Sequence, residues 1–385
     1  MHVHEYQAKQ VISGYGIAVP NGGVARTPED AEAIARQTGG EQIYIRAQYH
    51  AAGRLACHAT RIADSAEGAR AAAEELLGST QPTPLGPKKV RLVLVERVPP
   101  AAQLLYLAAV MDTLRNAPVI IGVKLDGTDF VTPPPPDPNR AVVIPIDATA
   151  GLMPHHARYI AFQLTNDKVM AVRVADVATK LYRALVGRDA LNVEINPLIV
   201  AVNSRVIAGY AAVEFDDFGL FRHRMVGDMR DEDEAGPGEL AAIEAGIHYT
   251  RLGGEVACVA TGIGLVKTSL HAVSVAGGCP SCYVDLDESP TAEQLDEALR
   301  LAATGGTKSI LIAGMLDSRG GERFGYRLAE TLTDSPTKVP VRVCLDGPAA
   351  ETARAALEGV PGDVQCVWPL TAAAEASLRA VEGQP

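Results

Sequence analysis

The sequence predicts an α/β protein whose C-terminal part holds a parallel sheet, and three observations carry that expectation. Across 385 residues the composition is 47% hydrophobic, 21% charged and only 5% aromatic. That is the profile of an Ala/Val/Leu-rich chain long enough for two or three cores. Strand-like runs at 255–260, 283–286, 308–315, 339–345 and 364–368 alternate with helical stretches beginning near Leu265, Thr291, Glu322, Ala349 and Ala372. Such alternation implies parallel strands with helices on both faces. Finally, residues 227–238 are acidic, glycine-rich and without apolar periodicity, which marks a boundary between an N-terminal region over 1–236 and a C-terminal domain over 237–385.

The N-terminal region mixes helix and strand signals. Thr27-Pro28-Glu29-Asp30 reads as a helix start: a hydroxyl cap, a proline in the first turn and acids after it. A second helix is expected over 64–77, capped by Asp64. Residues 42–47 and 90–95 read as strands. The run Pro133 to Pro136 suits neither a sheet centre nor a helix and is expected as an exposed loop. One long helical region, roughly 158–187, precedes a strand at 192–200 that Pro197 should break, with 206–215 as its partner. The acid run of 231–234 is expected to be solvated linker rather than a metal site.

Charge and patterning exclude several classes. A formal net charge of −11 does not suit a nucleic-acid or anionic-membrane binder, both of which need a basic surface. No apolar run approaches the roughly 18–20 residues of a membrane helix, and Met1-His2-Val3-His4 has no signal-peptide layout, so a cytoplasmic location is expected. Six cysteines are scattered, mostly in apolar runs where a reduced thiol packs as a small core residue. Cys279-Pro280-Ser281-Cys282 lacks both a helix N-terminus and a partner pair, either of which a redox or metal reading requires. The histidine pairs His155-His156 and His50 with His58 lack completing ligands. Neither a Gly-x-Ser-x-Gly elbow nor a Walker-type phosphate loop occurs.

His4-Glu5-Tyr6-Gln7-Ala8-Lys9-Gln10, followed by Tyr15-Gly16-Ile17 and Pro20, resembles the opening of succinyl-CoA synthetase β subunits. Leu105-Tyr106-Leu107 after Glu96, Glu194-Ile195-Asn196-Pro197-Leu198, and Leu220-Phe221-Arg222 with Asp228-Met229-Arg230-Asp231 extend the resemblance in order along the chain. The resemblance implies an ATP-grasp region followed by a flavodoxin-like CoA-ligase domain. The reaction it implies is acid plus CoA plus nucleoside triphosphate, giving acyl-CoA, diphosphate and phosphate. The cofactors would be Mg²⁺ with ATP or GTP, and an α-type partner would hold CoA and carry the phosphorylated histidine. The resemblance gives Glu194 a catalytic role, Arg46, Gly53, Arg54 and Glu96 nucleotide contacts, and Asn196 a magnesium contact. In the second domain it puts phosphate or substrate at Thr261, Gly262, Gly264, Ser318 and Arg319.

The departures are as informative as the matches. Arg46 stands at a lysine position, keeping charge but not shape. Leu55 and Ala56 replace a glycine and a lysine, and Leu104 replaces an acid. Tyr210 falls where a second magnesium ligand, an aspartate, is expected, and Asp216 or Asp217 could take that place only if the strand register slips. In the second domain, Thr261-Gly262-Ile263-Gly264 opens a helix after a strand, where free N–H groups can cradle an anion, though a tight β–α turn would read the same. Lys267 and Thr268 could add a charge and a hydroxyl. Asp287-Glu288-Ser289-Pro290 replaces a triple glycine and Leu316-Asp317-Ser318-Arg319 replaces a Gly-Gly-Ile-Val loop, which points to a small carboxylic acid other than succinate. Arg319 could grip a carboxylate with two hydrogen bonds or be an ordinary surface arginine. Two readings follow: an acid–CoA ligase subunit, or a β-like scaffold that has lost its nucleotide chemistry.

Overall fold

Short Ala-rich helices and strands alternate from the start of the chain in the computed structural model, which describes all residues except 39–41, 51–58, 84–86, 130–134, 233–234, 288, 318–320 and 384–385. The chain falls into two units, Met1–Glu234 and Ala235–Pro385.

In the first unit, α1 (Glu5–Gly14) and α2 (Pro28–Thr38) flank β1 (Asn21–Ala25), and β2 (Ile43–Gln48), β3 (Thr60–Ala63) and α3 (Ala66–Leu76) follow. A two-stranded ribbon, β4 (Thr80–Gln81) with β5 (Lys88–Lys89), leads into β6 (Leu92–Arg97). The sheet order is β1-β6-β2-β3, antiparallel throughout. Every residue of β2 is buried. Ile43, Ile45 and Ala47 pack with Ala31 and Ala35 of α2 and with Ala69, Ala73 and Leu76 of α3. Tyr44, Arg46 and Gln48 therefore face the other way, because strand side chains alternate. Thr27 Oγ1 caps α2 by accepting from the Asp30 N–H at 3.1 Å. The cap of α3 is Ser65, whose Oγ accepts from the Gly68 N–H at 3.0 Å, not Asp64, which lies one residue too early.

A second sheet holds β7 (Ala101–Asp112), β8 (Ala117–Lys124), β9 (Val142–Pro145), β10 (Ala190–Ala201), β11 (Val206–Ala208) and β12 (Ala211–Phe215). Its order is β11-β10-β7-β8-β9, with β12 also on β10. The expected single helix is two, α4 (Pro154–Leu164) and α5 (Lys168–Gly187). Asp167 ends the continuity: its carboxylate accepts from the N–H groups of Val169 and Met170, which starts a new helix. Nor does Pro197 break β10. It sits where β10 changes partner, from β12 over Ala190–Ile195 to β11 over Leu198–Val200, so its missing N–H leaves no ladder bond unmade. Gly122 lets α4 lie close on β8, since a Cβ there would come within 2.9 Å of Leu164 Cδ1. The core between sheet and helices gathers Leu105, Leu107, Ile120, Ile160, Leu181 and Phe215. After β12 a short α6 (Arg224–Gly227) ends the unit.

The second unit runs α7 (Pro237–Glu244), β13 (His248–Arg251), β14 (Val256–Thr261), α8 (Ile263–Val275), β15 (Pro280–Leu286), α9 (Ala292–Ala302), β16 (Ser309–Met315), α10 (Gly321–Asp334), β17 (Val341–Asp346), α11 (Ala350–Ala356), β18 (Val364–Cys366) and α12 (Leu370–Val381). The sheet order β13-β15-β14-β16-β17-β18 places five parallel strands in the 2-1-3-4-5 order of flavodoxin-like folds, with β13 as an added antiparallel edge. The direction of strand order reverses at β14, so the carboxyl ends of β14 and β16 form the crevice where such folds bind ligands. No helix among the described residues is long and apolar enough to cross a membrane.

Candidate functional sites

Each unit brings some of the sequence-selected residues together. In the first unit, Glu5 and Lys9 lie one turn apart on α1, and Arg46 and Glu96 lie on the β2 and β6 faces turned away from α2 and α3. Lys9 Nζ is 2.9 Å from Glu5 and 2.7 Å from Glu96. Arg46 pairs with Glu5 at 2.8 Å and also with Glu96. All four are buried, exposed by 2–7%, and two positive charges meet two negative ones. Burial raises the Glu96 carboxyl against the lowering pull of Lys9 and Arg46. Arg46 and Glu96, chosen for nucleotide contact, thus bind one another and α1. Sequence reasoning passed over Lys9 and Glu5 as site residues; their i, i+4 spacing was the available signal.

Asn196 and Glu194 stand together on β10, where Asn196 Nδ2 donates to Glu194 Oε1 at 3.2 Å. Burial, then the Glu194 charge, raises the Tyr106 phenol, which places Tyr106 beside this carboxylate. Asn196 is 4% exposed, and its Oδ1 has no hydrogen-bond partner. Tyr210, 8% exposed, accepts the Asn196 N–H with its backbone carbonyl at 3.1 Å. Leu104 is fully buried in an apolar cluster with Tyr44, Val98, Val123, Leu125 and Ile199, so an acid position of the family has become core here. Gly53 and Arg54 lie outside the described residues, as do Leu55 and Ala56.

A magnesium ion needs several oxygen ligands, usually with carboxylates among them. Here Asn196 offers one neutral oxygen, Glu194 a carboxylate that already accepts from Asn196 Nδ2, and Tyr210 a phenol in place of a second carboxylate. Among the described residues no three His, Cys, Asp or Glu side chains are grouped to hold a metal ion. These residues do not fit a magnesium ion held by this chain. Elsewhere in the unit a groove of about 1030 Å³ has a mostly polar lining that includes Asn21, Gln42, Asp64 and Asn203, with the exposed guanidiniums of Arg97 and Arg205.

The acid run before the second unit is not wholly solvated. Asp231 Oδ2 is 2.6 Å from His4 Nε2, and Gln7 Nε2 donates to the Met229 carbonyl at 2.7 Å, which ties this stretch to the start of α1. Cys279 is exposed while Cys282 is buried at the start of β15. Burial, then Cys282, pushes the Cys258 thiol up to about 12, and burial also raises Cys282, so these two are packing thiols.

In the second unit, Thr261 ends β14 and Gly262 caps α8 with φ +89, a left-handed conformation that glycine adopts without strain. A Cβ at Gly262 or Gly264 would meet nothing within 4 Å, so the helix mouth is open. The Leu265 and Val266 N–H groups bond the Gly262 carbonyl, leaving those of Ile263 and Gly264 to point outward as at any helix start. Thr261 Oγ1 accepts from the Met315 N–H at 3.4 Å, which joins the two strand ends at the crevice. Thr268 adds no hydroxyl to the mouth, since its Oγ1 donates back to the Gly264 carbonyl at 2.8 Å. Lys267 is exposed on the first turns. Ser318 and Arg319 lie outside the described residues.

A six-stranded antiparallel domain and a smaller antiparallel sheet followed by a flavodoxin-like domain with an open helix mouth define an ATP-grasp acyl-ligase architecture. An ATP-grasp domain model matches residues 2–200. The β subunit of the ADP-forming succinate–CoA ligase of Wolinella succinogenes is 33% identical over 365 residues, 93% of this chain and 92% of that one. The corresponding subunit of Anaeromyxobacter sp. strain K is 36% identical over 306 residues, 78% of each chain. The chain belongs to the succinate–CoA ligase β-subunit family and is a β-type acid–CoA ligase subunit. In fold, it also matches an ATP citrate lyase from Methanothrix soehngenii solved with citrate and coenzyme A, with a TM-score of 0.69 at 16% identity over 99% of both chains.

Proposed function

We propose that this chain works with an α-type partner, which carries the phosphohistidine and holds CoA, to join a small carboxylic acid other than succinate to CoA at the cost of ATP or GTP. The observation that carries this reading is the open α8 mouth at the strand-order reversal. Outward N–H groups occur at any helix start, but these lie at the strand-order reversal where such folds bind ligands, which suits a transferred phosphate. The altered loops after β15 and β16 support an acid other than succinate. The groove beside Val19 and Arg97 has room for a nucleotide, and its two guanidiniums outnumber the one carboxylate, Asp64, in its lining. No step is assigned to a metal held by this chain.

The buried quartet of Glu5, Lys9, Arg46 and Glu96 favours a second reading, a β-type subunit that supports its partner without handling nucleotide. Co-purification with the α-type partner, followed by CoA-ester assays over a panel of short-chain acids with ATP or GTP, separates the two. Ester formation that requires a nucleotide and favours an acid over succinate is the expected result. An intact complex that forms no ester with any acid and either nucleotide would establish the supporting role instead.

A further inference from the structure

Glu194 and Asn196 alternate along β10 with Val193 and Ile195, which belong to the apolar core, so both polar side chains lie on the opposite face of the sheet. Across the ladder, Ile195 pairs with Ala211 and the Asn196 N–H bonds the Tyr210 carbonyl. Position 210 is thus the cross-strand neighbour of Asn196 on that same face, with Cβ atoms about 5 Å apart. Glu194 stands opposite Ala212, one step along. The register brings neither Asp216 nor Asp217 here. Phe215 pairs with Ala190, so residue 216 lies about 20 Å along the chain from residue 210. Asp216 accepts from the Phe218 N–H, and Asp217 pairs with the amino group of Met1.

The side chain at 210 therefore decides what this face can hold. A cation of the magnesium type takes six oxygens, carboxylates among them, and keeps several of its waters. Tyr210 is 8% exposed and Asn196 4%, so an aromatic ring is packed where a hydrated ion would need space, and it brings no carboxylate. Glu194 is met by a donor instead: Asn196 Nδ2 donates to it at 3.2 Å. Tyr106 also lies close enough for Glu194 to raise its phenol, after burial. Asn196 Oδ1 is buried without a hydrogen-bond partner, closed off from the solvent through which an ion would arrive. With an aspartate at 210 the ring would be gone, and two carboxylates and one amide oxygen would converge on the space it leaves.

We propose that Tyr210 is the residue that determines metal selectivity in the first unit: it excludes a divalent cation from the β10 face, and a carboxylate at this one position is enough to create the site around Glu194 and Asn196. The proposal does not rest on the ligase reading given above. It requires that magnesium carried by any nucleotide be held by the nucleotide's own phosphates and not by this chain.

Titration of the full chain with manganese(II) chloride, with free Mn²⁺ followed by its solution EPR signal, tests the proposal without partner, nucleotide or turnover, so its failure is distinct from failure of the ligase assay. The wild type is expected to show only weak surface uptake that Asn196→Ala leaves unchanged. Tyr210→Asp should take up a single Mn²⁺ per chain about tenfold more tightly than the wild type, since ligand charge sets the affinity of such sites. Tyr210→Asn opens the same space without a charge and should stay at the wild-type level. Adding Glu194→Gln to Tyr210→Asp should abolish the gain, which separates a metal site from a general loosening of the core. Tyr210→Glu carries the same test if the aspartate variant does not fold. Wild-type Mn²⁺ binding that Asn196→Ala abolishes, or a folded carboxylate variant that binds no more tightly than the wild type, would overturn the assignment.

Discussion

Arg46 keeps the positive charge of the lysine that the family places at its position, yet its guanidinium is divided between Glu5 and Glu96. The two roles open to it make different predictions. In a phosphate contact, its loss weakens ligand binding and leaves the apo protein's stability nearly untouched. In a buried ion network, its loss strands carboxylates in a low-dielectric interior. Removing one partner of such a pair costs about 3–5 kcal/mol. Arg46→Ala is therefore expected to lower unfolding free energy by that order in urea denaturation. A loss below about 1 kcal/mol would show that the network contributes little and return Arg46 to the ligand. At this scale the sequence was only half readable. The match at His4 to Gln10 pointed to the right family, but a one-letter match cannot show that Lys9 and Glu5 reach across to β2 and β6. The replacement of an acid by Leu104 and the arrival of Tyr210 were visible; that both are buried, with Leu104 inside an apolar cluster, depends on which face of each strand is covered.

At the scale of elements, the C-terminal alternation was legible because each apolar run is bounded by glycine, proline or a cap, and buried parallel strands need little else. The errors came from capping and from position in the sheet. The single helix expected over 158–187 is two helices, because Asp167 gives the N–H groups of Val169 and Met170 an acceptor that competes with continuation. Asp167→Ala should cost about 1 kcal/mol in chemical denaturation, the usual value of such a cap. No change would mean that packing alone sets the start of α5. Pro197 was expected to break its strand, and β10 runs through it only because β12 and β11 meet there, a fact held in residues 206–215 rather than near the proline. β13 escaped notice because its four residues, His248 to Arg251, show no clean alternation.

For the molecule as a whole, each unit has apolar clusters made from its own residues, with Phe324, Leu328 and Val343 in the second and Phe215 and Leu181 in the first. Residues 235–385 produced alone should therefore unfold in one cooperative transition on urea denaturation. A broad, non-cooperative transition would mean that the second unit depends on the first for its fold. Such a fragment also gains from how its sheet is bordered. β13 runs against its neighbour and spans only four residues, and β18 on the far side spans only three. A parallel sheet with long bare margins would invite a strand from another copy to add itself. Here one margin is closed by a strand of the opposite direction and the other is cut short, so the second unit can leave the α8 mouth open while offering stray chains little backbone to template on.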